Sequence, residues 1–138
     1  MENTLSVPVH WDEKHIICSL YYLVADSDFI VKKEEIETIN KKLDILLHQT
    51  FYVSTEQKYK VINEAMNFAV GLSDVEKLEV VRNLSAKVKL TSDLFVHMIN
   101  DMEDIAQSDG CVSIEEHSLM YYIRLKFKKD YVRTEAYC

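Results

Sequence analysis

The chain has 138 residues, with 16 Lys and Arg against 23 Asp and Glu, for a formal net charge of −7. Gly occurs twice and Pro once, so long helices with short connections are expected and a turn-rich sheet protein is disfavoured. The length suits one domain over 1–138 with a single core, and neither an unbroken apolar span nor a leader-like amino terminus is visible, which predicts a soluble, cytoplasmic module without membrane insertion.

In chain order, Trp11, Ile16, Ile17, Leu20, Leu23 and Val24 recur at nearly helical spacing and predict an amphipathic helix over 11–25. Ile36, Ile39, Leu43, Leu46 and Leu47 predict a second over 33–48, with Lys32 standing where a capping residue is wanted. Ser54-Thr-Glu-Gln57 has the form of a capping box and opens a third helix through Val61, Ile62, Ala65, Met66 and Ala69. Gly71 is placed to end it in a left-handed conformation. Ser73-Asp-Val-Glu76 is a second box, opening a fourth helix whose apolar positions are Val75, Leu78, Val81, Leu84 and Val88. Thr91-Ser-Asp93 starts a fifth with Leu94, Phe95, Met98, Met102 and Ile105 on one face. After Gly110, Ser113-Ile-Glu-Glu116 is a third box, and Leu119, Tyr122, Ile123 and Phe127 carry the sixth helix. Residues 129–138 lie in a stretch that loses the pattern and reads as a flexible tail.

An internal repeat organises these helices. Val24 to Glu35 and Ile105 to Glu116 share Ala, Ser, Asp, Val and two Glu at the same offset. Each copy places an Asp (Asp28, Asp109) after one helical pattern and a Glu (Glu35, Glu116) in the first turn of the next. The expected architecture is all-α: about six helices, built as two similar helix-turn-helix halves around a central helical pair. The Tyr21-Tyr22 and Tyr121-Tyr122 pairs sit at similar places in the two halves and read as packing residues.

The charge is unevenly distributed. Between Leu90 and Ile123 there is no Lys or Arg but seven acids, Asp93, Asp101, Glu103, Asp104, Asp109, Glu115 and Glu116, while 16 acids balance 16 bases elsewhere. That disfavours nucleic acid and favours a cation, a basic protein partner or a plain solvated face. Asp109-Gly110 with Glu116 invites comparison with a calcium loop, but Ile105 and Gln107 stand where its first oxygen donors belong. A shared site is the better expectation: Asp28, Glu35, Asp109 and Glu116 would offer a divalent cation (Ca, Mg or Mn) four carboxylates if the turns converge, with Asp26, Glu34 and Glu115 as further donors and Ser27 and Ser108 as hydroxyls. The competing explanation is local, because Glu116 can cap the helix that Ser113 opens. Lys32 offers no such box to Glu35.

Other constellations are weaker. His97, Asp101 and Asp104 are spaced for one helix flank and could ligate a transition metal or form a polar stripe. His10, His15, His48 and His117 show no better spacing. Cys18, Cys111 and Cys138 form no C-x-x-C pair, and Cys18 is expected in the core. Motifs for serine hydrolysis, zinc proteolysis and nucleotide phosphate binding are missing, so no catalytic residues are assigned.

The pattern of Ala106, Asp109, Gly110, Val112, Ser113 and Glu116, matched in the first copy by Ala25, Asp28, Val31 and Glu35, resembles the tellurite-resistance TerB-like family, which includes the N-terminal domain of the DjlA co-chaperone. Phe29 and Lys32 depart from that pattern. The resemblance implies an all-helical fold of two similar halves, no established catalysis, acids that bind metal or a partner, and a stress-response or envelope-associated setting. Two functional expectations follow: a non-enzymatic module binding a divalent cation or basic partner through its acidic turns, or a protein-interaction scaffold with no metal site that binds through an apolar groove. A metal-dependent enzyme is the third.

Overall fold

The computed structural model of the chain describes residues 6–26, 33–108 and 113–127. These form six helices in the order α1 (Glu13–Ala25), α2 (Lys33–Ile45), α3 (Thr55–Ala69), α4 (Asp74–Lys87), α5 (Ser92–Ala106) and α6 (Ile114–Phe127), with a π-helical turn, Leu46–Thr50, continuing α2. No strand occurs among the described residues. The all-α bundle expected from composition and periodicity is therefore what the chain forms.

Local chemistry explains the boundaries. Ser54, Ser73 and Thr91 each accept a hydrogen bond from the backbone N–H three residues on, at 3.2–3.3 Å, satisfying donors that a helix start leaves free. Glu76 closes the second of these boxes by accepting from the Ser73 N–H at 2.8 Å. After α3 the chain turns through Gly71, whose φ of +81° lies in the left-handed region that costs glycine least.

One helix is buried on every side. From His15 to Ala25 each residue of α1 is buried, and α1 touches α2, α3, α4, α5 and α6. No charge interrupts the eleven residues from His15 to Ala25, and an all-round apolar helix is stable only inside the fold. The expected amphipathic helix is thus the axis of the bundle, whereas α3 and α4, expected to form its central pair, each keep one face on the surface.

Helix α4 departs from expectation in which face it buries. Val75 and Leu78, read as core positions, are 73% and 41% exposed, while Lys77, Val80, Val81, Leu84 and Ser85 face inward. The Lys77 ammonium reaches a backbone carbonyl at the end of α1, and a charge so satisfied can be buried. That rotates the apolar pair outward. Cys18 is buried in the core as expected, and burial pushes its thiol far up, away from nucleophilic use.

Candidate functional site

Asp28 and Asp109 lie outside the described residues, as do Ser27, Cys111 and Cys138. Glu35 and Glu116, at equivalent places in the first turns of α2 and α6, are 1% and 2% exposed. Glu116 performs the local task that its box predicts: it accepts from the Ser113 N–H at 3.0 Å and its own N–H donates to the Ser113 hydroxyl at 3.0 Å. Glu34 and Glu115 are exposed. The Ser108 hydroxyl donates back to the Ile105 carbonyl at 2.8 Å.

Asp26, counted as a spare donor, is instead a structural brace. Its Oδ2 accepts from the Gly71 N–H at 3.0 Å, and its backbone carbonyl accepts from Lys77 Nζ at 2.7 Å. The same ammonium is 3.8 Å from Asp26 Oδ2. The end of α1 is thereby tied to the turn between α3 and α4. Lys77, with Asp74 and Leu78, also lines a groove of about 250 Å³ whose other wall is Ile114, Glu115, Ser118 and Leu119 of α6. The end of α1 and the start of α6 therefore lie against the same first turns of α4; Val24 and Ala25 open the first copy of the repeat, and Ile114 to Glu116 close the second. Leu78, Ile114 and Leu119 make the groove apolar, and Asp74 and Glu115 put acids on it.

The flank His97, Asp101 and Asp104 is engaged within the protein. Tyr21 donates its hydroxyl to Asp101 Oδ2 at 2.6 Å, deep between α1 and α5. Lys42 of α2 lies 2.7 Å from Asp104 Oδ2 and 3.7 Å from Asp101 Oδ1, and the hydrogen bond to Asp104 is the main cause of the upward shift of its ammonium. His97 Nε2 is 3.1 Å from Asp101 Oδ2 without hydrogen-bond geometry. Burial, then the Asp101 charge, pushes the Tyr21 hydroxyl far up, so it stays protonated and donating. The Tyr21–Asp101 bond is a buried strut between α1 and α5, and the exposed Lys42–Asp104 pair ties α2 to the same flank. The packing role expected of Tyr21 gives no sign of a polar partner 80 residues away.

A third grouping joins residues that sequence spacing left unassigned. His10 precedes α1, His15 lies in its first turn and Glu64 lies on α3. His10 Nε2 is 3.2 Å from both Glu64 oxygens, and His15 Nε2 is 3.3 Å from Glu64 Oε1. On the other edge of the ring, His15 Nδ1 is 3.2 Å from Asp12 Oδ1 and 3.4 Å from the Asp12 N–H. Trp11 stacks on the imidazole with centroids 5.4 Å apart, and Phe68 meets Trp11 edge-on at 4.9 Å. Burial pulls the His15 ring down toward its neutral form despite the Asp12 carboxylate. Burial acts on Asp12 in the opposite sense, but hydrogen bonds from Lys14 and His15 outweigh it and hold that carboxyl below its usual range. An open groove of about 470 Å³, walled by Trp11, Phe68 and Leu72, adjoins the pair His10 and Glu64. Only the packing of α1 on α3 could reveal this cluster, since Glu64 is 49 residues from His15 in sequence.

Compared with family models, with curated proteins and with solved structures, the chain finds no match.

Proposed function

We propose that the chain is a non-catalytic helical binding module that receives a basic, apolar-anchored segment of a partner protein in the groove between α4 and α6. The observation that carries this reading is the groove itself: Leu78 and Leu119 with Ile114 offer apolar contact, and Asp74 and Glu115 flank them with negative charge. Val75 and Ile114, 73% and 82% exposed, extend the apolar surface beyond it. Large apolar side chains left outward on adjacent helices mark a surface that burial in a complex would stabilise. The excess of seven acids and no bases between Leu90 and Ile123 would favour a basic partner and speed its approach. Kinship with TerB-like modules, with their acidic turns, belongs to the same proposal and rests on the repeated motif.

The test is selection from a displayed library of 15-residue peptides on the intact chain, followed by fluorescence anisotropy with the best binder. Peptides pairing Lys or Arg with a large apolar residue should be enriched, and Leu78→Asp or Ile114→Asp should weaken binding by about 1–3 kcal/mol. Enrichment without basic residues, or binding indifferent to both substitutions, removes the proposal. Both side chains are substantially exposed, so the variants should fold.

A second reading keeps the divalent cation at Asp28, Glu35, Asp109 and Glu116. It is favoured by the burial of Glu35 and Glu116 at matching places, an expensive location for carboxylates. Melting in EDTA and in millimolar calcium, magnesium or manganese tests it. A metal-specific rise of several degrees, lost in Asp109→Asn, supports the cation; no rise leaves Glu116 as a helix cap alone.

A further inference from the structure

The cluster at the start of α1 brings two imidazoles and a carboxylate together. A neutral imidazole carries one N–H and one lone pair, yet both nitrogens of His15 face carboxylate oxygens, Nδ1 at 3.2 Å from Asp12 and Nε2 at 3.3 Å from Glu64. With the proton on Nε2, the ring faces Glu64 with a donor and Nδ1 accepts from the Asp12 N–H at 3.4 Å; with the proton on Nδ1, the Nε2 lone pair faces the Glu64 carboxylate. In the second form, with Nδ1–H donating to Asp12, a cation between His15 Nε2 and Glu64 would be held by both.

The geometry points to a transition-metal site of the Zn²⁺ class, with His10 Nε2, His15 Nε2 and a Glu64 carboxylate oxygen as ligands and Asp12 orienting His15. One ligand atom from each residue lies within 4.8 Å of the other two. Tetrahedral Zn²⁺ holds nitrogen and oxygen at about 2.0–2.1 Å, which sets neighbouring ligands about 3.3 Å apart. The distances from Glu64 to His10 and His15, 3.2 and 3.3 Å, already have that value. Two imidazoles select zinc or a similar borderline metal over calcium and magnesium. The carboxylate–histidine pair Asp12–His15 is the second layer that commonly fixes a ligating ring, and stacked Trp11 holds the same ring in plane.

Three protein ligands leave a fourth position, and the adjoining groove walled by Trp11, Phe68 and Leu72 gives water or a small anionic ligand access to it. This site is separate from the acidic turns. His15 and Ala25 are ten residues apart along α1, about 15 Å of helix, and the repeat begins at the far end.

Titrating the untagged, chelator-stripped full chain with Co²⁺, followed by visible absorption, and with Zn²⁺, followed by calorimetry, tests the assignment. One equivalent of Co²⁺ should develop the absorption of a tetrahedral site and be displaced by Zn²⁺. His10→Ala and Glu64→Gln, at exposed and half-buried positions, should each weaken binding by at least about 100-fold, and Asp12→Asn, which keeps a capping side chain, by about 10–100-fold. Asp28→Asn with Asp109→Asn should leave the Zn²⁺ affinity unchanged, separating this site from the turns. The absence of stoichiometric binding in the native chain, or unchanged affinity in folded His10→Ala and Glu64→Gln, overturns the proposal.

Discussion

Tyr21 shows what single residues contribute to this fold. Its hydroxyl is buried between α1 and α5 and donates to the Asp101 carboxylate, a charge-assisted bond in a water-poor setting. Tyr21→Phe is expected to lower stability by about 1.5–3 kcal/mol in urea titration, because Asp101 loses a donor while remaining buried. A pH effect follows from the same contact. The Tyr21 pKa is raised in the fold, so above the unfolded tyrosine value of about 10 the unfolded chain releases this proton first and stability falls as pH rises. Lys42 acts in the same direction, since its pKa is also raised and its contribution is complete only below the unfolded lysine value. The melting temperature should therefore decline above about pH 10, and less steeply in Tyr21→Phe. Its place in the Tyr21-Tyr22 pair made Tyr21 legible as a packing residue, but its partner depended on how α5 packs across α1.

At the scale of elements, short-range chemistry set the boundaries. Ser54, Ser73 and Ser113 each open a helix where their spacing from Gln57, Glu76 and Glu116 predicts, and Thr91 opens another at Thr91-Ser-Asp93, because a cap needs only residues three positions apart. Ser73→Ala and Ser113→Ala should each cost about 1 kcal/mol, read as a shift in denaturation midpoint without a change in slope. Gly71 tests a different property. A Cβ there would meet nothing within 4 Å, yet φ is +81°, so Gly71→Ala should cost about 1–2 kcal/mol through backbone conformation alone and Gly71→Asn less. The faces of the elements were less legible than their ends. Helix α4 exposes Val75 and Leu78 because Lys77 is buried against Asp26, an interaction between positions 51 residues apart that no local period contains.

Across the whole molecule, the bundle is built around α1, and its two ends carry different chemistry. The amino-terminal end meets α3 through His15 and Glu64; the carboxyl-terminal end is tied through Asp26 to Gly71 and Lys77, beside the α4–α6 groove. Ligands at the two ends should consequently act independently. Zn²⁺ should not alter peptide affinity measured by anisotropy, within about 0.5 kcal/mol, since sites this far apart without shared partners are close to additive. The sequence by itself determined the all-α class, the six helices and the capped starts at Ser54, Ser73, Thr91 and Ser113, because hydrophobic period and capping act over a few residues and are written locally. Tertiary structure decided which helix is enclosed, which acids are braces or caps, and which histidines meet a carboxylate. Those outcomes depend on the packing of α1 against helices distant in sequence, where burial changes the cost of each charge and supplies the partner that offsets it.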